Sequence, residues 1–233
     1  MIFCVTVTAQ NVLLLEEPDT TGEVALFGRN RAVYVHPLFK FGAVIPVYED
    51  GGEVGFLSTT TGADIRTKAK ICSWNALVLD FGYRCDRYSI GKDDALGIPG
   101  FGGVHKRERL SLHNVSFSLC DRVNFGRRGN ILGIYLDIGF YGDLLVRGSH
   151  LMVNEFYDSD SETAERTVQR IKQTQLPFLS RYNYGLTARF GWEWGSVFAM
   201  YRVNDLVVDR PPITVYSDFP RLMAGVEMYG MFD

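Results

Sequence analysis

Two aspartates six residues apart, Asp137 and Asp143 in "NILGIYLDIGFYGDLLV", are the first pair whose type and spacing could do chemistry. Paired carboxylates work as acid and base when they lie within about 10 Å of each other. In an extended chain, at roughly 3.3 Å per residue, these two stand about 20 Å apart. Joint acid–base work is excluded, and partnership with arginine is the expected role. A second group, His105, Ser111, His113, Ser149 and His150, has the residue types that acyl transfer draws on. No spacing ties them into a nucleophile and its base, so the sequence points away from an enzyme, with a rim-site lipid acyltransferase or deacylase as the alternative. The four cysteines, Cys4, Cys72, Cys85 and Cys120, lack the paired spacing of a zinc or redox site and read as unpaired. Neither a metal nor a cofactor is implied.

The stretch around Asp137 alternates strictly. Leu132, Ile134, Leu136, Ile138, Phe140, Leu144 and Val146 are apolar, while the intervening positions include Gly133, Asp137, Gly139 and Asp143. A period of two means a β-strand. The same alternation recurs over Val33 to Val47, Ala63 to Ile71, Ala76 to Tyr88, Leu110 to Phe125, Arg181 to Trp192, Val197 to Leu206 and Leu222 to Phe232. With the opening stretch, Asn130 to Val146, that makes eight strands. Short connections, "CSWN", "GRRGN" and "EWGS", follow the second, fourth and sixth strands, and long ones follow the first, third, fifth and seventh. An even number of antiparallel strands with short turns at one rim and long loops at the other is the pattern of outer-membrane barrels.

Alternation alone does not say which face is inside. A soluble sheet would place Lys, Glu and Thr on its polar face and avoid glycine. Here the polar faces combine small residues with Arg and Asp: Asp80, Gly82, Arg84 and Asp86; Asn114, Ser116, Ser118 and Arg122; Arg181, Asn183, Gly185, Thr187, Arg189 and Gly191. That mixture suits the cramped lumen of an eight-stranded barrel, which side chains fill. Strand parity sends Lys40, Arg66, Lys68, Lys70, Arg84, Arg122, Arg181, Arg189 and Arg202 into it, with Asp80, Asp86, Asp137, Asp143 and Glu227. Opposite signs can pair there, so no open pore is expected. The other face carries residues such as Leu79, Phe81, Phe117, Leu186 and Phe190, with Tyr182, Tyr184 and Trp192 towards the ends of the sixth strand, where interfacial aromatic girdles belong. The fold class is therefore all-β, an eight-stranded antiparallel up-and-down transmembrane β-barrel. A soluble lipocalin-like binding barrel is the alternative.

The pieces "DRVNFGRRGNILGIYLDIGFYGD" and "RYNYGLTARFGWEWGSVFAMYRVNDLV" resemble the strand-turn-strand hairpins of small, porin-like outer-membrane β-barrel proteins of the Bacteroidota, over about Arg31 to the C-terminus. The resemblance implies a Gram-negative outer-membrane barrel without assigned chemistry. The chain ends "YGMFD", whereas such barrels usually finish on the aromatic itself. Residues 1–10 read as the remnant of an export signal peptide, or else as a first strand; 11–31 form a periplasmic leader, and 32–233 the barrel.

The 233 residues carry a net charge of -3, which gives no reason to expect nucleic acid, and no run of about 18 to 20 apolar residues marks a spanning helix. "SDSETAERTVQRIKQ" offers a capping box, Ser159 with Glu162, which would open a short helix; a charged loop is the equal alternative. The expected partners are outer-membrane lipids and an extracellular or secretion-machinery protein met through the 147–180 loop. A monomer acting in a structural, interaction or secretion-accessory role is the resulting expectation.

Overall fold

The computed structural model of the chain describes residues 29–45, 58–90, 107–125, 133–157, 166–174, 176–208 and 219–230. Among them are nine strands and no helix: β1 (Val33–Ile45), β2 (Thr59–Lys70), β3 (Asn75–Ile90), β4 (Arg107–Phe125), β5 (Ile134–Tyr157), β6 (Arg166–Gln173), β7 (Tyr182–Trp192), β8 (Gly195–Arg202) and β9 (Leu222–Tyr229). Eight of these, all but β6, close on themselves. Each pairs antiparallel with its neighbour, and β1 pairs with β9 to seal the ring. The expected eight-stranded antiparallel barrel is present.

Register fixes the barrel's dimensions. Starting at Tyr34 and stepping across directly paired residues leads through Lys68, Val78, Cys120, Gly139, Thr187, Met200 and Met223, and returns to β1 at Val44. The circuit is displaced by ten residues along β1. With eight strands at about 4.8 Å spacing and 3.3 Å rise, that stagger tilts the strands by roughly 41° and sets a backbone radius of about 8 Å. Such a cylinder has room for side chains and little else.

The short-turn rim is tight. Trp192 pairs directly with Gly195, leaving Glu193 and Trp194 as a two-residue hairpin. In "CSWN" the Ile71 and Cys72 amides both donate to the Asn75 carbonyl, at 3.0 and 3.1 Å. The "GRRGN" turn, the 1–10 segment, most of the 11–31 leader and Cys4 lie outside the described residues.

At the other rim the chain departs from the simple meander. A β-bulge in β5 opposite His113 and Asn114 leaves Val146 without a partner. The extra residue reverses parity: Tyr141 and Asp143 point inward before it, and Gly148, His150 and Met152 point inward after it. Beyond Leu144, the last residue paired with β7, β5 takes β6 as its neighbour on that side, while Arg107 to Leu110 of β4 flank it on the other. The helix expected from "SDSETAERTVQRIKQ" is therefore corrected to a strand over Arg166–Gln173; Ser159 and Glu162 lie outside the described residues. The β-branched Thr167, Val168 and Ile171 pack better on a pleated surface beside β5 than they would in a lone helical turn.

A second departure closes the mouth. Leu176, Phe178 and Leu179, ahead of β7, and Leu206, Val207 and Phe219, after β8, fold against Val44, Tyr88, Leu110, Leu112, Met200 and Met223. The two segments hold each other through a Leu179–Val207 bridge and hydrogen bonds from Ser180 N to Leu206 O (2.8 Å) and Val208 N to Phe178 O (2.9 Å). An apolar cap thus sits on the long-loop end of the barrel.

Candidate functional site

The lumen is where the charged residues meet. Even positions of β1 to β4 and odd positions of β7 and of β5 up to its bulge face inward, so alternate side chains of every barrel strand enter a tube about 8 Å in radius. Arg66 is fully buried and forks onto Asp80, Nε to Oδ1 at 2.7 Å and Nη2 to Oδ2 at 2.9 Å, while the same Nη2 reaches Glu227 at 2.8 Å. Arg189 bridges Asp80 (2.6 Å) and Glu227 (3.3 Å) and donates to Ser118 Oγ (2.7 Å). Lys40 pairs with Asp64 and lies 3.7 Å from Glu227. These residues form one connected cluster.

Two further pairs flank it. Towards the short-turn end, Arg122 forks onto Asp137 at 2.7 and 2.8 Å and lies 3.6 Å over the ring of Tyr135. Towards the long-loop end, Arg84 holds Asp143 at 2.5 Å and Asp86 at 3.1 Å, and Asp86 also accepts from Thr60 and Asn114. Asp137 and Asp143 therefore serve two different arginines, consistent with their separation along β5. Forked pairs of this kind are the strongest way to satisfy a buried guanidinium and carboxylate.

Of the expected lumen residues, Lys40, Arg66, Arg84, Arg122, Arg189, Asp80, Asp86, Asp137, Asp143 and Glu227 come together. Lys68 and Arg202 are buried at opposite ends, Lys68 donating to the Arg29 carbonyl at 2.8 Å and Arg202 to the Phe219 carbonyl at 2.6 Å. Arg181 is exposed rather than lumenal, because β7 begins one residue later, and Lys70 is only half-buried at the end of β2. Sequence reasoning missed Asp64 and His36. Both lie at inward, even positions of strands already recognised, so parity held the signal.

What remains between the ions is small. The central cavity, bounded by Lys40, Asp64, Asp80, Arg84 and Arg189 among others, measures about 10 Å³. That is about the least volume that admits one water. Glycines make the packing fit: a Cβ on Gly191 would fall inside the ring of Tyr135, which lies across it.

Among the described residues, the candidate acyl-transfer side chains are not assembled into a catalytic set. His150 faces inward and meets Glu108 at 2.6 Å, whereas Ser111, Ser149 and His113 face outward. Ser111 and Ser149 are opposite each other, and His113 Nδ1 is engaged by the Tyr83 hydroxyl. His105 lies outside the described residues. Cys72, Cys85 and Cys120 are free thiols.

The outer face has the reverse composition. Among the described residues thirty-three large apolar side chains stand exposed, including Phe81 (56%), Ile138 (60%), Phe140 (68%) and Phe190 (48%), spread over every barrel strand. All three tryptophans, Trp74, Trp192 and Trp194, sit exposed at the short-turn rim. The sequence matches no protein-family model and no curated protein.

Proposed function

We propose that this chain is a β-barrel of the bacterial outer membrane, closed to diffusion, with a structural, interaction or secretion-accessory role rather than a catalytic one. The observation that carries the reading is the inversion of the two faces: paired charges fill the interior while apolar side chains cover the exterior. A soluble barrel of the same architecture would place its apolar face inside. A single soluble monomer rarely exposes a contiguous apolar patch beyond about 300 to 600 Å², and here exposed apolar residues encircle the barrel.

Dimensions agree with a bilayer. From Tyr182 to Trp192 the outward row of β7 spans 11 residues. At 3.3 Å rise and a tilt near 41°, that is about 25 Å along the barrel axis, the height of the apolar band of membrane barrels. The tryptophans mark one interface, and Tyr182 and Tyr184 approach the other. Since short turns face the periplasm in such barrels, the capped rim and the β5–β6 projection face outward from the cell. That projection, with the 147–180 connection, is the part positioned to meet a protein partner. The resemblance of the "FGRRGN" and "YGLTARFGW" hairpins to Bacteroidota outer-membrane barrels supports the same assignment.

The test uses the three tryptophans. In vesicles containing lipids brominated at graded depths, quenching should be strongest for bromines near the interface and weak for those at the bilayer centre. A protein that stays in solution without detergent and escapes quenching would overturn the proposal.

A further inference from the structure

Most of the strand glycines are crowded, but Gly142 is not. A Cβ there would meet nothing nearer than the Asn183 carbonyl at 4.0 Å. It faces outward, between Phe117 of β4 and Tyr184 of β7, its two register partners. The missing side chain leaves an open apolar groove of about 380 Å³ on the barrel exterior, continued by Leu144 and Tyr182.

The groove leads towards a basic patch. Arg147 stands directly opposite His113, and it faces outward only because the β5 bulge inserts Val146; with unbroken parity from Asp143 it would enter the lumen. On β3, Arg87 is aligned with Ser111, which is aligned in turn with Ser149 of β5. The two arginines are thus two strands apart and offset by two residues, about 12 Å at the backbone, and their side chains are long enough to converge on one small anion. Both are exposed, and neither engages a carboxylate among the described residues. The outward acid of β4, Asp121, lies at the opposite end beside Asn75. His113 is held by the Tyr83 hydroxyl and stacks on its ring at 5.9 Å between centroids.

We propose that this outer face, Arg87 and Arg147 above the Gly142 groove, is a binding site for a phosphate-bearing lipid of the surrounding membrane. The arginines take the phosphate and the groove takes an acyl chain. The inference rests on the membrane assignment above. A lipid fits better than a soluble anion because the cations border the apolar band, at the level where head groups lie, and the groove below them is apolar. Guanidinium groups bind phosphate with charge-assisted, directional hydrogen bonds.

Native mass spectrometry of the full chain in a nonionic detergent tests it, with lipid A bearing both phosphates, dephosphorylated lipid A and inorganic phosphate as probes. Bisphosphorylated lipid A should bind the wild type well above its dephosphorylated form. A cation at a membrane surface contributes about 1 kcal/mol, or about fivefold in affinity, so Arg87→Gln with Arg147→Gln should weaken that binding by roughly 25-fold. Gly142→Leu, which fills the groove, should reduce retention of both lipid forms. Both arginines are exposed, so the double variant should keep the wild-type shift between heated and unheated gel mobility. Equal binding of the two lipid forms, an unaffected double variant, or displacement of the lipid by millimolar inorganic phosphate would overturn the site. In each of those cases the tryptophan quenching would still report insertion, so loss of the site is distinguishable from loss of the membrane assignment.

Discussion

Removing Asp137 should cost more than removing any other lumenal carboxylate. Arg122 is fully buried and, among the described residues, Asp137 is the carboxylate that holds it, through the fork at 2.7 and 2.8 Å. The guanidinium also lies over the face of Tyr135, a cation–π contact worth about 2 kcal/mol at most. Asp137→Ala therefore strands a desolvated guanidinium, for which about 3 to 5 kcal/mol of destabilisation is expected. Glu227 gives the contrast. It touches three cations, but Arg66 and Arg189 both keep Asp80 when it is gone. Glu227→Ala should lose only charge-assisted hydrogen bonds, about 1 to 3 kcal/mol. A double replacement, Arg122→Met with Asp137→Leu, removes both charges at similar volume and should recover most of the Asp137→Ala loss. Urea unfolding from lipid vesicles, followed by tryptophan emission, measures all three. If Asp137→Ala cost less than Glu227→Ala, Arg122 would have to be reached by water, and the sealed-lumen argument would fail.

Four further outcomes follow from the same geometry. Ile138→Arg places a charge on the outer face near the middle of the part of β5 that pairs with β7, Tyr135 to Leu144, and in the proposed bilayer setting should destabilise the barrel by about 2 to 4 kcal/mol; a water-exposed site would tolerate it, as the same urea titration would show. Gly139→Ala drives a Cβ into the Leu119 carbonyl and the Cys120 backbone, and should cost about 1 to 3 kcal/mol by overpacking. Purified protein in a planar bilayer should show no steady large conductance, since ions and an apolar cap close the path; sustained single-channel currents would contradict this. Protease added to intact cells should cleave within Asp158 to Glu165 and spare "GRRGN", and the opposite pattern would invert the topology.

The strands were legible because each pairs a two-residue period with an apolar outer row, and the expected starts of the third, sixth and eighth strands fall within one residue of those of β3, β7 and β9. The inward list was legible for the same reason, and Arg181 failed only because its strand starts one residue later. The β5 bulge was not legible. "DLLVRGSH" contains Leu, Leu and Val in succession, which hides a parity change inside a run that reads apolar on either face. Everything downstream of it in β5, including the inward turn of His150 towards Glu108, depends on that one inserted residue. The cap was hidden for another reason: Leu176, Phe178 and Phe219 lie in connections, where no period reports burial. The pairing of Arg122 with Asp137 comes from cross-strand register, which alternation within a single strand does not encode.

An ionic interior has a consequence for how this barrel is specified. A one-residue slip of any strand exchanges its faces. If both faces were apolar, slipped and native registers would differ little in a bilayer. Here a slip of β2 alone would turn Asp64, Arg66 and Lys68 outward while drawing Ile65 into an ion-lined tube. In the proposed bilayer setting each Arg or Lys facing lipid near the midplane costs about 2 to 4 kcal/mol, so the two cations of a misregistered β2 cost about 4 to 8 kcal/mol, comparable to a typical domain's net stability of about 5 to 15 kcal/mol. The alternation also keeps each barrel strand too polar to cross as a helix. The charges that fill the lumen thus contribute twice: paired, they close the tube, and unpaired, they exclude the alternative strand registers before it closes.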